Sequence, residues 1–252
     1  MKIIKTLLSL IIITLSFTAC KKEISSEGGG NPSPSYKVKT YTENIDYGGG
    51  YTENVTFNIE YDSNDRIISM TSASSPGDRF EYKYFSGGFT MDIYNSNELS
   101  IHEIFYFNSK SFIDSTLQYN DTKDTTTEKY IYNNANQLTT LKMYDYSKAT
   151  GPLLVNTTNY TYDANGNMIK ETDDYSVTTY EYYPDLKNYL FTFGIPSDHS
   201  NKNLVKTTIA TSGGSSITLN HVYTFDAKNR ISTETITFDS GEVASRTFTY
   251  YD

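Results

Sequence analysis

The sequence predicts an all-β fold, an antiparallel meander of many short hairpin-linked strands that can curl into an open or a closed barrel-like sheet. A turn motif recurs from Tyr61 to the end of the chain, and aromatic residues alternate with polar ones before most turns. No stretch after residue 20 has the apolar spacing of a helix. No linker interrupts the pattern after residue 35, so residues 36–252 are predicted to form a single β domain.

The turn motif is most complete in residues 160–169, which read Tyr-Thr-Tyr-Asp-Ala-Asn-Gly-Asn-Met-Ile. Successive copies begin 21 to 30 residues apart, except for one gap of 42 residues. A copy over 85–91 is degenerate and one over 183–189 is doubtful, whereas the clear copies begin at Tyr61, Phe107, Tyr132, Tyr162 and Phe225. A repeat of this length with turn residues at fixed places indicates one hairpin per unit.

The fifth position of the motif explains how each hairpin closes. A type I turn followed by a residue with a left-handed backbone gives a bulged hairpin, and Gly, Asn and Asp adopt that backbone most readily. The second position is Asp or Asn in every clear copy and can accept a backbone N–H two residues on. We therefore expect structural turns with a left-handed residue at Asp65, Gly88, Asn136, Gly166 and Asn229, with Ser111 as the exception in composition.

The segments before the turns carry aromatic residues two positions apart, as in Tyr160 and Tyr162. This spacing places both rings on one face of a strand and the intervening polar residues on the other. The chain has 24 tyrosines, each of which buries a ring while its hydroxyl reaches water or a partner. A membrane-spanning barrel would need Leu, Val and Ile facing outward where this chain has Thr, Glu and Lys, so that alternative is disfavoured.

The N-terminal residues are predicted to be a targeting signal and not a part of the fold. Residues 1–19 combine two lysines with a short apolar stretch, as a signal peptide does, and the stretch is shorter than a transmembrane helix. The run Phe17-Thr18-Ala19-Cys20 resembles a bacterial lipobox and predicts lipidation of Cys20, which is the only cysteine. The alternative is an ordinary signal peptide with a chance cysteine.

Residues 20–35 are predicted to be the lipid anchor and a flexible tether, because Gly, Ser and Pro dominate the segment and bury nothing. The run Lys21-Lys22-Glu23 resembles the export tags of surface lipoproteins. It predicts an outer-membrane location, with exposure at the cell surface as the further expectation.

Charge excludes one class of partner. Cleavage before Cys20 removes Lys2 and Lys5 and leaves 19 basic against 30 acidic residues, a formal net charge of −11. Nucleic-acid binding needs a basic surface, so we expect no nucleic acid partner. Contact with a membrane is expected only through the lipid anchor, since an acidic chain does not adsorb to anionic lipid.

The run over 162–169 resembles the YD repeats of bacterial Rhs-type proteins, which wrap long β-sheets into shells around toxin cargo. The order of lipobox, YD-like turns and the Ser-Asn-Lys-Asn-Leu-Val-Lys segment at 200–206 is more similar to a family of Bacteroidota lipoproteins. That family has a YD-repeat-like domain of unknown function and is described as porin-like in fold. The resemblance covers most of 36–252 and implies no established activity, so it transfers no catalytic residues.

The motifs of common enzymes and metal sites are not found. His102, His199 and His221 lack a second ligand at metal-binding spacing, and there is no nucleophile elbow, phosphate loop or zinc-protease motif. The run over 163–167 resembles a calcium loop superficially, but its Gly and acidic residues stand at the wrong positions. We therefore predict no metal site, no cofactor and no catalytic residues.

The gap between the copies near Tyr183 and Phe225 is the best place in the sequence for a site, because Gly194 and Pro196 interrupt a plain strand there. The candidate binding loop comprises Phe193, Asp198, His199, Lys202 and Asn203. The alternative is a connection that covers an open sheet edge.

Three functions remain open on these grounds. The first is a non-enzymatic outer-membrane lipoprotein whose tyrosine-rich surface binds a glycan or a protein ligand. The second is a hydrolase acting on envelope or host glycans, and clustered carboxylates with perturbed pKa values in a concave pocket would favour it. The third is a purely structural envelope component.

Overall fold

The computed structural model describes residues 37–47, 50–120, 125–146, 151–188 and 201–251, which form sixteen antiparallel strands closed into a barrel. The strands are β1 Val38–Asp46, β2 Thr52–Tyr61, β3 Ile67–Ser72, β4 Arg79–Phe85, β5 Gly88–Asn95, β6 Glu98–Phe107, β7 Ile113–Asn120, β8 Thr125–Tyr132, β9 Leu138–Asp145, β10 Leu153–Tyr162, β11 Met168–Thr172, β12 Ser176–Lys187, β13 Asn203–Ser212, β14 Ser215–Phe225, β15 Ile231–Phe238 and β16 Val243–Tyr250. The predicted all-β meander is therefore confirmed, in its closed form.

Each strand pairs with its neighbours in the chain, and the barrel closes where β1 pairs with β16. At this seam Tyr41 lies opposite Phe248 and Glu43 lies opposite Arg246. Closure satisfies the backbone groups that an open edge would expose. No helix in the described part of the chain has the length and hydrophobicity to cross a membrane.

The five clear motif copies form the turns at one end of the barrel, which we call the motif rim. They join β2 to β3, β6 to β7, β8 to β9, β10 to β11 and β14 to β15. In the turn over 62–66, Asp62 Oδ1 accepts the backbone N–H groups of Asn64 at 2.8 Å and Arg66 at 3.0 Å. In the other four turns the same two backbone N–H groups donate to the Oδ1 atom of Asn108, Asn133, Asp163 or Asp226.

The fifth motif position has a positive φ in all five turns: 64° at Asp65, 64° at Ser111, 62° at Asn136, 87° at Gly166 and 59° at Asn229. The strand register shifts by a bulge at the first motif position in each case. Ser111 thus adopts the same conformation as the others despite its composition, held by the two bonds to Asn108.

Two turn assignments from the sequence are wrong. Between β4 and β5 the left-handed residue is Gly87, with φ 95°, whereas Gly88 lies within β5 opposite Phe85. Gly88 is needed for another reason, since a Cβ there would lie 1.9 Å from the carbonyl oxygen of Phe105. The doubtful copy over 183–189 is not a turn in its described part, because β12 continues to Lys187.

Tyrosines form a ladder of hydrogen bonds along the motif rim. Tyr162 at the first motif position donates its hydroxyl to the carbonyl of Leu138, the first strand residue after the preceding turn, at 2.9 Å. The same bond links Tyr61 to Val38, Tyr132 to Ile113, Tyr182 to Met168 and Tyr250 to Ile231. Where the repeat has Tyr, the hydroxyl therefore ties one hairpin to its neighbour.

The inner face of the barrel is divided between an apolar and a polar part. The apolar core is a contiguous cluster of buried residues: Val38, Tyr41, Ile59, Ile67, Met70, Tyr82, Phe89, Met91, Phe105, Ile113, Leu204, Ile231 and Phe248. At its centre the rings of Phe89 and Phe105 stack with centroids 4.3 Å apart. The polar part lies on the inner face of β6 to β12.

Candidate functional site

The inner face of β6 to β12 carries three carboxyls and three tyrosines, which we call the carboxylate wall: Glu103, Glu128, Glu171, Tyr130, Tyr160 and Tyr180. The strand register places these residues on the inner face, because residues directly opposite each other in a sheet point to the same side. Glu103 lies opposite Met91, Glu128 opposite Thr116 and Glu171 opposite Thr178, and all three partners are buried. Tyr130 donates its hydroxyl to Glu128 at 2.6 Å, and Tyr180 donates to Glu171 at 3.2 Å. Tyr160 lies opposite Glu171 in the strand register.

Burial shifts the protonation of this wall. Desolvation, assisted by the charge of Glu128, raises the pKa of Glu103 to about 8. Desolvation also raises the pKa values of Glu128 and Glu171, although the hydroxyls of Tyr130 and Tyr180 partly offset it. All six side chains are nevertheless half-buried, not buried. A deep position with residual accessible surface indicates an inner space that water reaches.

Two buried polar atoms on this inner face lack a hydrogen-bond partner, Thr116 Oγ1 and Asn156 Oδ1. Thr116 is only 1% exposed and lies directly across from Glu128 in the strand register. Its hydroxyl is close enough to Glu103 and Glu128 to lower both pKa values slightly, yet it has no hydrogen bond of ordinary geometry to either. Buried polar atoms are normally paired, so these two mark capacity for a ligand or water.

A second charged cluster inside the barrel is internally satisfied. Arg246 donates to Glu43 at 3.1 Å and to Glu234 at 3.0 Å, and His221 Nδ1 lies 2.9 Å from Glu234. Burial alone would raise the pKa of Glu234, but Arg246 and His221 outweigh it and lower that pKa to about 2. Because Arg246 and Glu43 stand on opposite sides of the seam, this cluster secures barrel closure and is not a ligand site.

The outer face carries a third polar group, in which Asp92 contacts both His102 and Lys83. Glu81 lies opposite Asp92 in the register and pairs with Arg79 at 2.7 Å. These charges compensate one another around Asp92, which is buried beneath its partners. Within the described residues, no group of three or more His, Cys, Asp or Glu side chains is arranged to hold a metal ion.

Asn203 of the candidate binding loop lies in a buried cluster of asparagines. Its backbone N–H bonds to Asn167 Oδ1 at 3.0 Å, and Met168 N–H bonds to Asn201 Oδ1 at 2.7 Å. Asn203 thereby fastens the start of β13 onto the turn over 163–167, which is a structural role. Phe193, Asp198 and His199 lie outside the described residues, as does Cys20.

Lys202 lies beside that same turn, because a Cβ placed on Gly166 would be 3.4 Å from Lys202 Cε. The structure thus brings Lys202 and Asn203 to the motif rim and not to the carboxylate wall.

The carboxylate wall is not predicted from the sequence, although one signal is present. Glu103 stands two positions before Phe105 and Glu128 stands two positions before Tyr130, both of the inner face, where a charged residue is not expected. An acid on the apolar side of a strand is an exception to the alternation and marks a candidate site. The 30 acidic residues of the chain conceal this signal unless each strand is assigned a face.

Comparisons with solved structures find the same fold in two bacterial proteins. A porin-like protein from Bacteroides uniformis superposes with a TM-score of 0.60 at 11% identity, over 86% of this chain and 99% of that one. A porin-like protein from Bacteroides vulgatus gives 0.57 at 11% identity, over 85% and 98%. No protein-family model and no curated protein matches the chain. The likeness shows a shared fold and does not transfer a function.

Proposed function

We propose that this chain is a lipid-anchored outer-membrane protein that binds a ligand inside its barrel and does not catalyse a reaction. The observation that carries the binding proposal is the carboxylate wall, with its half-buried tyrosines and its two buried polar atoms that lack a partner. Polar groups that converge on an enclosed, water-accessible space are the usual mark of a small-molecule site.

The outer face supports attachment through lipid in place of insertion. At β15 and β16 the outward residues are Thr233, Thr235 and Thr237, opposite Thr247, Ser245 and Val243. Hydroxyl pairs such as Thr42 with Thr56, at 2.9 Å, continue this polar surface around the barrel. Exposed aliphatic residues such as Ile131 and Val222 are interspersed among them. A lipid-facing band would be predominantly apolar and flanked by aromatic residues.

The position of β1 is compatible with such a tether. Val38 begins β1 at the motif rim, so the segment that follows Cys20 reaches the barrel at that end.

Two measurements test the proposal. Changing Cys20→Ser should abolish fatty-acid labelling and release the protein from the membrane fraction, and unchanged retention would contradict the anchor. A glycan and peptide array, run with a hydrolase panel on the full chain, tests binding against turnover. Saturable binding without turnover is the expected result.

One observation favours a hydrolase as the second candidate. Glu103 has a pKa raised to about 8 and lies near a second carboxyl, Glu128, as general acids in glycosidases do. Turnover of a glycan that is lost in Glu103→Gln would establish this alternative and overturn the binding proposal.

A further inference from the structure

When its carboxyls are ionised, the carboxylate wall offers more hydrogen-bond acceptors than donors. The hydroxyls of Tyr130 and Tyr180 are already donated to Glu128 and Glu171. Each ionised carboxylate still has acceptor capacity, since its two oxygens provide about four lone-pair sites. Asn156 Oδ1 is an acceptor without a partner. A ligand that complements this surface must be rich in N–H or O–H donors.

The wall also lacks a counter-charge. Glu103, Glu128 and Glu171 form no salt bridge with any other described residue. The buried cations among the described residues are paired elsewhere, Arg246 with Glu43 and Glu234 and Arg230 with Asp226. An unpaired carboxylate in a low-dielectric setting is costly and is stabilised by any cation that reaches it. A neutral donor such as a sugar hydroxyl would leave the charge of any ionised carboxylate in the wall uncompensated.

Two features favour an organic cation over a metal ion. No metal-binding group of three side chains exists among the described residues, because the acids are spread over separate strands. Glu128 on β8 and Glu171 on β11 are three strands apart, roughly 14 Å at the usual strand spacing. Tyrosine rings line the same stretch, and aromatic faces together with carboxylates are the usual surroundings of a bound ammonium group.

We propose that the carboxylate wall binds an aliphatic amine with two or more ammonium groups, one near Glu103 and Glu128 and another near Glu171. Thr116 Oγ1, which is buried between the first two carboxyls without a hydrogen bond, would receive an N–H from the same ammonium. This inference rests on the proposed binding function and names its ligand class.

Ammonium binding should displace protons from the wall, so affinity should rise several-fold between pH 6.5 and pH 8.5. The sign follows because a protonated carboxyl does not attract a cation, and the raised pKa of Glu103 keeps it largely protonated near neutrality. The groups that face the two carboxyls are Tyr82 on β4, Thr116 on β7, Tyr130 on β8 and Tyr160 on β10. The tyrosines stay protonated throughout this range because burial raises their pKa values.

The test is titration calorimetry on the full chain in mild detergent at about 0.15 M salt, where surface attraction is screened. Spermidine is the probe, and 1,4-butanediol, calcium and maltose are the comparisons. Saturable binding of spermidine with proton release, and none of butanediol, is expected. The double variant Glu103→Gln, Glu128→Gln should weaken binding at least tenfold, and the single variant Glu171→Gln serves if the double variant does not fold.

Glu181→Gln is the matched control, since it removes one charge from the exposed outer face of β12 and should leave binding unchanged. An equal loss in this control, or binding of calcium with the same stoichiometry, would overturn the inference. Saturable binding of maltose, or of another neutral ligand on the array, without spermidine would also overturn it but would leave the proposed binding function intact. Silence toward every ligand would contradict both.

Discussion

The apolar core and the carboxylate wall occupy the same inner face of one barrel, yet they follow opposite physical rules. In the core, Phe89 is fully buried and its ring stacks on the ring of Phe105, so the whole side chain contributes to packing. In the wall, Glu103 and Glu128 are held where ionisation is unfavourable, and Thr116 Oγ1 lacks a partner. The difference indicates that the core maintains the fold, whereas the wall is retained at a cost in stability, as functional sites often are.

The largest effect should come from the core. Phe89→Ala removes a ring that is 0% exposed and leaves a cavity beside Phe105, which should lower the free energy of unfolding by about 3–5 kcal/mol. Chemical denaturation of the full chain in detergent measures the change. Phe85→Ala is the matched control, because Phe85 lies on the neighbouring strand β4 and is 44% exposed. This substitution should lower the free energy of unfolding much less. Equal losses would mean that the core does not dominate stability.

A substitution in the carboxylate wall should raise the stability of the protein, in contrast to the loss expected in the core. Burial raises the pKa of Glu103 from its ordinary value to about 8, so the folded protein holds a proton that the unfolded chain releases between those values. Stability from this group is full below about pH 4.5 and is lost as pH rises toward 8 and beyond. Glu103→Gln should therefore raise stability by roughly 1–3 kcal/mol at pH 8.5 and change it little at pH 5.

Thermal unfolding at both pH values tests this prediction. Glu181→Gln on the outer face should show no such dependence. Parallel curves for wild type and Glu103→Gln across the range would show that the wall is not under electrostatic strain, and the contrast with the core would then fail.

The turns of the motif rim have the same conformation next to the apolar core and next to the carboxylate wall. A substitution in a turn should therefore have a similar effect on stability in both regions. Gly166 has φ 87°, and a Cβ there would make only an ordinary contact with Lys202, 3.4 Å from its Cε, so the backbone conformation dominates the cost. Gly166→Val should cost about 1–2 kcal/mol through the left-handed backbone. Asn136→Gly, at the same position of the neighbouring turn, should be near neutral or stabilising. Identical melting temperatures for both variants and wild type would place the strain elsewhere.

The sequence predicted the architecture because hairpin turns are local. Asp at the second position and Gly or Asn at the fifth determine the turn over 163–167 within a few residues, and the period-two aromatics assign the strand faces. Gly88 was misassigned because two adjacent glycines leave the turn position ambiguous. Its close contact with the Phe105 carbonyl is a tertiary constraint that no local pattern reveals.

The candidate site could not be predicted in the same way. The carboxylate wall brings together Glu103, Glu128 and Glu171 from three strands that are far apart in the chain, and only barrel closure and register place them on one inner face. The loop favoured from composition contributes Asn203 to a structural cluster instead. Composition identifies irregular segments, whereas this site lies on regular strands.

The smallest expected effect compares one residue type in the two settings. Tyr162 donates to the backbone carbonyl of Leu138 on the motif rim, and Tyr130 donates to the carboxyl of Glu128 in the wall. Tyr162→Phe should cost about 0.5–1.5 kcal/mol, the net worth of one hydrogen bond, at any pH between 5 and 9. Phe107 and Phe225 already occupy this position in other copies, so the ring itself is tolerated without its hydroxyl.

Tyr130→Phe should instead become more costly as pH rises. Its hydroxyl stabilises the ionised form of Glu128, whose pKa burial has raised, so the bond matters most once that carboxyl loses its proton. Denaturation of both variants at pH 5, 7 and 9 separates the two cases. A pH-independent loss for Tyr130→Phe would mean that Glu128 keeps one protonation state throughout. Glu128 would then offer no proton for a cation to displace, and the proton release proposed for ammonium binding would have to come from Glu103 alone.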